Sequence, residues 1–164
     1  MDRQRPSLRV LLTTPYDLAV PGGVNRHACD LLEALTQRGV KAKLVGPASA
    51  PARADDPRIV RLGRVWVGRL NGAHSRVTLD LGLGGAMRRL VAEFRPDVLH
   101  VQEPFAPTLN TFALLHAGRA RRVATFHTYS ETSRGYLWAW PGCRWVNRRL
   151  DERIAVAAAA REFA

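Results

Sequence analysis

The sequence alternates short runs of apolar residues with longer segments in which apolar residues recur every three or four positions. Short apolar runs are typical of parallel strands buried on both faces, and the longer recurrence is typical of amphipathic helices. The predicted strands are Leu8–Thr14, Lys41–Gly46, Val98–Gln102, Arg122–Phe126 and Arg153–Val156. The predicted helices run from an N-cap at Asn25 to Leu35, from the glycine-rich stretch 82–85 to Phe94, from Pro104 and Pro107 to His116, and from Ser133 to Leu150 with an interruption at Pro141–Gly142.

This alternation of strands and helices predicts an α/β fold, a three-layer sandwich with a mainly parallel sheet. A length of 164 residues fits one domain. The less regular segments are a linker of low hydrophobicity at Ala48–Asp56, a short strand or hairpin at Ile59–Val67, and an ambiguous stretch at Leu70–Asp80. Ala157–Ala164 begins a helix that the end of the sequence interrupts, so we expect the chain to be part of a longer protein.

Composition places the chain among globular proteins, since 46% of the residues are hydrophobic and 24% are charged. No segment approaches the roughly 18 apolar residues that a membrane-spanning helix needs. The N-terminal segment makes a poor signal peptide, so we expect a cytoplasmic protein. Cys29 and Cys143 lie far apart and fit two reduced thiols, with no metal-type spacing.

Charge is the unusual property, because 25 basic residues against 14 acidic ones give a formal net charge of +11. Nearly all the basic residues are arginines, the exceptions being Lys41 and Lys43. A surface of this kind attracts anions such as nucleic acid, phospholipid headgroups or phosphorylated metabolites. A base-composition bias of the source genome explains the excess equally well, because alanine is abundant too.

The candidate site residues lie where predicted strands end, because ligands of open parallel sheets bind outside the carboxyl ends of the strands. Tyr16 and Gly22–Gly23 follow the first strand, Glu103 follows Val98–Gln102, and His127 with Thr128 follows Arg122–Phe126. We expect these three loops to meet in one crevice.

The pair Gly22–Gly23 directly precedes a helix, where small residues let a phosphate approach the free N–H groups. A tight loop without a ligand explains the pair as well. Neither this pair nor Gly82–Gly85 fits G-x-G-x-x-G, which argues against a nicotinamide cofactor. His127 and Glu131 lack a third ligand, so no metal is expected. Glu103 suits sugar hydroxyls, base catalysis or a helix cap.

Four segments, taken together, resemble a known family. They are Pro15–Tyr16 with Pro21–Val24 and His27, then Arg95–Pro104, Ala124–Thr128 and Arg153–Val156. In order and spacing they resemble the N-terminal, Rossmann-like domain of GT-B retaining glycosyltransferases of family 4. The most similar subgroup is that of the phosphatidylinositol mannosyltransferase-like enzymes. The resemblance covers nearly the whole chain.

The resemblance implies a role for each candidate residue. Gly22 and Gly23 would face the diphosphate of a nucleoside diphosphate sugar, and His127 would contact the donor sugar near the reacting carbon as the catalytic residue. The acceptor would lie among residues of all three loops, namely Tyr16, Gln102, Glu103 and Thr128. Gln102 departs from the family, which often has a histidine there. A metal-independent site is expected, because no Asp-x-Asp motif occurs.

The family's nucleotide pocket is formed largely by a C-terminal domain that lies outside this sequence. We therefore expect residues 1–164 to be the acceptor-side domain, folded but inactive alone. Basic residues near tryptophans suggest contact with an anionic lipid surface at the inner face of the membrane. They are Arg88, Arg89, Arg144, Arg148 and Arg149, although a solvated face and tryptophans packed in the core explain them too.

Two alternatives from other classes stay open. One is a non-catalytic module that binds a phosphorylated ligand at the same glycine pair. The other is a basic nucleic-acid-binding domain, suggested by the charge of +11 alone. No nucleic-acid partner is expected, because helix-turn-helix, zinc and RNA-recognition signatures are missing from the sequence.

Overall fold

The computed structural model describes residues 7–50, 56–70, 73–127 and 134–162. Its strands are β1 Arg9–Thr13, β2 Lys41–Gly46, β3 Ile59–Arg61, β4 Trp66–Leu70, β5 Ala73–Val77, β6 Val98–Gln102, β7 Arg121–Phe126 and β8 Glu152–Ala155. Its helices are α1 Gly23–Gln37, α2 Leu83–Phe94, α3 Leu109–His116 and α4 Arg134–Asn147, followed by a 3₁₀ turn at Ala159–Glu162.

Six strands form one parallel sheet in the order β3-β2-β1-β6-β7-β8. Strands β4 and β5 form a separate antiparallel hairpin. The chain runs outwards from β1 to β2 and β3, and then returns to the other side of β1 with β6. Because the direction of winding reverses there, the loops that follow β1 and β6 diverge and leave a crevice between them.

The helices cover the sheet in two layers, as the α/β prediction requires. On one face, α1 packs against alternate residues of β1 and β2, among them Leu12, Leu32 and Leu44. On the other face, α2, α3 and α4 share a larger core with the intervening strand positions, such as Leu11 and Leu99. Successive strand residues point to opposite faces, so the apolar runs supply both cores at once. The fold prediction is confirmed.

Several predicted boundaries were wrong. Helix α1 begins at Gly23 with Gly22 as its N-cap, three residues before the predicted N-cap at Asn25, because the Asn25 side chain bonds to the preceding loop. Helix α3 begins only at Leu109, so both prolines lie in its connection to β6. Helix α4 continues through Pro141 without the expected interruption.

The segment Ile59–Val67, predicted as a short strand or hairpin, contains β3, an edge strand of the main sheet, and the start of β4. The ambiguous stretch Leu70–Asp80 contains the end of β4 and all of β5, which pair as a hairpin. The hairpin is attached to the β1 loop, where Tyr16 forms an antiparallel bridge with Val77 and Asp17 N donates to Arg76 O at 2.9 Å. In the terminal segment, Ala159–Glu162 forms a 3₁₀ turn in place of the start of an α-helix. Part of the predicted linker, residues 51–55, lies outside the described residues.

Candidate active site

The loop after β1 is tied to the first turn of α1 by Asn25. Its Nδ2 donates to the carbonyl oxygens of Asp17 at 2.8 Å and Val20 at 3.2 Å. Its Oδ1 accepts from Thr14 Oγ1 at 3.0 Å. The side chain is almost fully buried, so these bonds fix the path of the chain into the helix.

The glycine pair leaves open space in front of this helix. Gly22 is extended, at φ −169, which any residue can adopt. A Cβ atom at Gly22 or Gly23 would meet nothing within 4 Å, so packing within the described chain does not require glycine. No side chain caps α1, and its first turn carries no acidic residue. The first N–H groups can therefore bind an anion in the positive field of the helix.

A cavity of about 230 Å³ lies beside the helix start. Its lining comes from the β1 loop, the beginning of α1 and the hairpin, and includes Tyr16, Asp17, Gly22, Gly23, Ser75 and Arg76. Asp17 is buried and accepts from Ser49 N at 2.9 Å, Ser49 Oγ at 2.7 Å and Arg76 Nε at 2.9 Å. Burial works to raise the pKa of Asp17, but these bonds lower it below the ordinary value. The carboxylate is thus charged and fixes the cavity wall.

Gln102 and Glu103, at the end of β6, both bind His127, at the end of β7. Gln102 Oε1 lies 2.7 Å from His127 Nε2, and Glu103 Oε1 accepts from the His127 backbone N at 2.7 Å. Glu103 has a positive φ of 52, an uncommon conformation for a non-glycine residue. Asn110 supports this turn, since its Nδ2 donates to the carbonyl oxygens of Gln102 at 2.7 Å and Glu103 at 2.9 Å.

Three histidines gather beneath the first turns of α1. His27 lies one helical turn beyond Gly23, and its ring meets the His127 ring edge-on with centroids 5.0 Å apart. His100 is buried on β6, with Nε2 at 2.7 Å from Thr125 Oγ1. Burial and the charges of His27 and His127 lower the pKa of His100 to about 4. Burial and the charge of His27 lower the pKa of His127 to about 4 as well.

The structure brings most of the predicted site residues together. The His27–His127 contact joins the helix that begins at Gly23 to the ends of β6 and β7. Tyr16 lines the neighbouring cavity with Gly22 and Gly23. Thr128 lies outside the described residues. The roles assigned to these residues stay predictions.

Sequence reasoning missed His100, Asp17 and the contact made by His27. The alternation of side chains along β6 was an available signal, because it places His100 on the same face as Gln102. No comparable signal marked Asp17, whose partners Ser49 and Arg76 lie 32 and 59 residues away.

The described residues were also compared with the requirements of a metal site, a membrane-spanning helix and a disulfide. Within the described ranges, no group of three or more His, Cys, Asp or Glu side chains could hold a metal ion. No helix in that part of the chain is long and apolar enough to cross a bilayer. Both cysteines are free thiols, and burial raises the pKa of Cys143.

The sheet order and the crevice between β1 and β6 define a Rossmann-like α/β domain. A solved structure shows the same fold: MurG of Acinetobacter baumannii aligns with a TM-score of 0.58 over 93% of this chain and 42% of that chain, at 11% identity. The family model "Glycosyltransferase Family 4" matches residues 21–164, and the chain belongs to that family.

Curated relatives carry the name phosphatidyl-myo-inositol mannosyltransferase. The protein of Mycobacterium leprae is 32% identical over 95% of this chain, and that of Mycolicibacterium smegmatis is 34% identical over 95%. The protein of Propionibacterium freudenreichii is 30% identical over 96% of the chain. The chain spans 41%, 40% and 42% of the lengths of these three relatives, respectively.

Proposed function

We propose that this chain forms the acceptor-side half of the active site of a retaining glycosyltransferase that uses a nucleoside diphosphate sugar. The observation that carries the proposal is the convergence of the α1 start at Gly22–Gly23 with His127 and its partners on β6. Residues 1–164 act in this proposal as an N-terminal domain, and a second domain supplies most of the nucleotide pocket.

The names of the relatives support a more specific substrate pair. They describe transfer of mannose to phosphatidyl-myo-inositol, and we extend both substrate classes to this chain on the strength of that likeness. The inositol lipid would lie along Tyr16, Gln102, Glu103 and Thr128. The 230 Å³ cavity beside Tyr16 offers room for part of a polar headgroup.

The chemistry of the site constrains how the leaving diphosphate is stabilised. His127 is neutral at pH 7, because burial lowers its pKa to about 4, and it therefore supplies no positive charge. Stabilisation then falls to the N–H groups at the start of α1 and to basic groups of the second domain, without a metal ion. His127 contributes as a neutral ring that contacts the sugar.

The test adds a methyl group at the helix start. Gly23→Ala introduces a Cβ into open space, so the free energy of unfolding should change by less than about 0.5 kcal/mol. Binding of nucleoside diphosphates, followed by NMR at millimolar concentration, should weaken at least about fivefold, because the diphosphate must approach this backbone closely. Wild-type shifts should concentrate at the Gly22 and Gly23 amides and at His127.

Gly142→Ala is the matched control, since a Cβ there also meets nothing within 4 Å. It lies on α4, which packs on the sheet face opposite to α1, and should leave binding unchanged. Shifts spread evenly over the surface, or equal binding by Gly23→Ala, would contradict the proposed donor site. Substantial sugar transfer by the 164-residue chain alone would contradict the assignment of a second domain.

We also propose peripheral binding to anionic lipid at the inner face of the membrane. Arg88 and Arg89 are exposed on α2, Arg144 is exposed on α4, and Arg148 is exposed directly after α4, in the same helical layer. Arg149 is half-buried instead, with its guanidinium 3.7 Å from the centre of the Trp145 ring, and Trp145 packs against the core. The proposal therefore depends on the four exposed arginines.

A further inference from the structure

Two side-chain contacts between β6 and the β7 segment have the same offset of two residues from the strand register. Gln102 pairs with Thr125 in the strand register, and its side chain meets His127, two residues further on. His100 pairs with Val123, and its ring meets Thr125, again two residues further on. Both contacts measure 2.7 Å. They lie side by side on the face of the sheet that α1 covers, so β6 controls how the polar residues of β7 are oriented.

The geometry of Gln102 decides which nitrogen of His127 carries the proton. Its carbonyl oxygen, which can only accept, faces ring Nε2, so Nε2 carries the hydrogen and Nδ1 keeps its lone pair. Gln102 has no exposed surface, so water does not compete for this bond. Glu103 holds the backbone N–H of the same histidine at 2.7 Å. Gln102, the last residue of β6, and Glu103, which follows it, therefore fix His127 at its ring and at its main chain.

We propose that Gln102 is a positioning residue that holds His127 as the Nε2–H tautomer, so that the ring offers an acceptor nitrogen to a hydroxyl of the donor sugar. The chemical role rests on the proposed function, whereas the tautomer does not. A histidine at position 102, which the resembled family often has, could both donate and accept a hydrogen bond. It would leave the tautomer of His127 undetermined, whereas the glutamine oxygen selects one.

The first measurement needs no variant. Long-range ¹H–¹⁵N correlation NMR on the labelled 164-residue chain at pH 7 should show His127 with the proton on Nε2, in excess over the other tautomer by about tenfold. A predominant Nδ1–H form would mean that the amide nitrogen faces the ring, and would overturn the inference.

Two substitutions then test the cause. Gln102→Met keeps the length of the side chain but removes the acceptor, so His127 should become a mixture of tautomers. Gln102→Glu keeps an acceptor and adds a negative charge, so the pKa of His127 should rise well above the wild-type value of about 4. An unchanged tautomer in the first variant would contradict the role of Gln102, as would an unchanged titration in the second.

Thr125→Val is the matched control, because it removes the parallel 2.7 Å contact to His100 and leaves the Gln102–His127 pair in place. It should alter the His100 signals and leave the His127 tautomer unchanged. The outcomes also separate this inference from the proposed function. The expected tautomer with no response of His127 to nucleoside diphosphate sugars would refute the function alone, and the Nδ1–H form with a clear response would refute this inference alone.

Discussion

His100 makes the stability of this protein depend on pH. Its pKa is about 4 in the folded chain and about 6.5 when unfolded. The unfolded state therefore binds more protons between these values, and the free energy of unfolding falls as the pH drops below about 6.5. From pH 7 to pH 5 the loss from His100 should be about 2 kcal/mol. Urea unfolding at the two pH values measures it.

His100→Gln should reduce this pH dependence, because an amide can still reach Thr125 Oγ1 but takes up no proton. His116→Gln removes a histidine outside the buried group and serves as the control, with the wild-type pH dependence retained. The same slope in His100→Gln and wild type would show that this ring does not stay neutral in the folded protein. His127 is only half-buried, and we expect it to contribute less than His100.

Position along the strands predicted some of these residues and not others. Glu103 and His127 were found because each directly follows an apolar run, and Gly22 because it lies in the loop after such a run, since parallel strands end at one edge of the sheet. His100 was missed because it lies inside such a run, where a histidine is most simply explained as part of the core. Whether His100 is a core residue or a site residue depends on which face of β6 the helix α1 covers. That face follows from the order of the strands in the sheet.

At the level of elements, the turn from β1 into α1 depends on Asn25. Asn25→Ala removes three hydrogen bonds at this turn: those to the carbonyl oxygens of Asp17 and Val20, and the one from the Thr14 hydroxyl. We expect the free energy of unfolding to decrease by about 2 kcal/mol, which denaturant unfolding measures. Arg26→Ala, the next residue, breaks only an exposed ion pair with Asp30 and should cost less than about 0.5 kcal/mol. Equal losses would mean that the loop does not depend on this side chain.

The same turn explains why sequence rules misplaced the start of α1. Asparagine is a preferred N-cap residue, so Asn25 was taken as the cap. In the structure, its amide bonds to the carbonyl oxygens of the preceding loop, and Gly22 takes the cap position without any side chain. Local preference was overridden by a tertiary contact. The hairpin was expected within Ile59–Val67 but lies at Trp66–Val77 for a related reason, since its attachment to Tyr16 and Asp17 is not visible in its own sequence pattern.

For the whole molecule, the sequence predicted an α/β sandwich because that conclusion needs only the alternation of strands and helices. Predicting the position of the crevice requires the strand order as well. That order places β6 beside β1, although 84 residues separate Thr13 from Val98. The pairing of β6 with β1 brings His27 of α1 against His127, the residue that follows β7. Every inference about donor binding depends on this long-range arrangement.

The net charge of +11 also belongs to the whole molecule. Its proposed role in lipid binding can be tested by removing positive charges at different places on the surface. A variant with Arg88, Arg89, Arg144 and Arg148 changed to glutamine should lose at least about tenfold in affinity for anionic phospholipid vesicles at low salt, measured by co-sedimentation. Each arginine near an anionic surface contributes about 1 kcal/mol. Wild-type binding should weaken steeply with salt and be slight on neutral vesicles, because the attraction is screened over about 8 Å at physiological ionic strength.

A second variant separates position from charge. Changing Arg38, Lys41, Arg61 and Arg64 to glutamine also removes four positive charges from exposed sites. These residues lie in or next to α1, β2 and β3, away from α2 and α4. If α2 and α4 form the lipid-binding surface, this variant keeps most of its affinity, since only the long-range attraction of the net charge declines. Equal loss in both variants would show that total charge, with no defined surface, accounts for binding. Comparable binding to neutral vesicles would exclude an electrostatic surface altogether, because uncharged headgroups give the arginines no counter-charge.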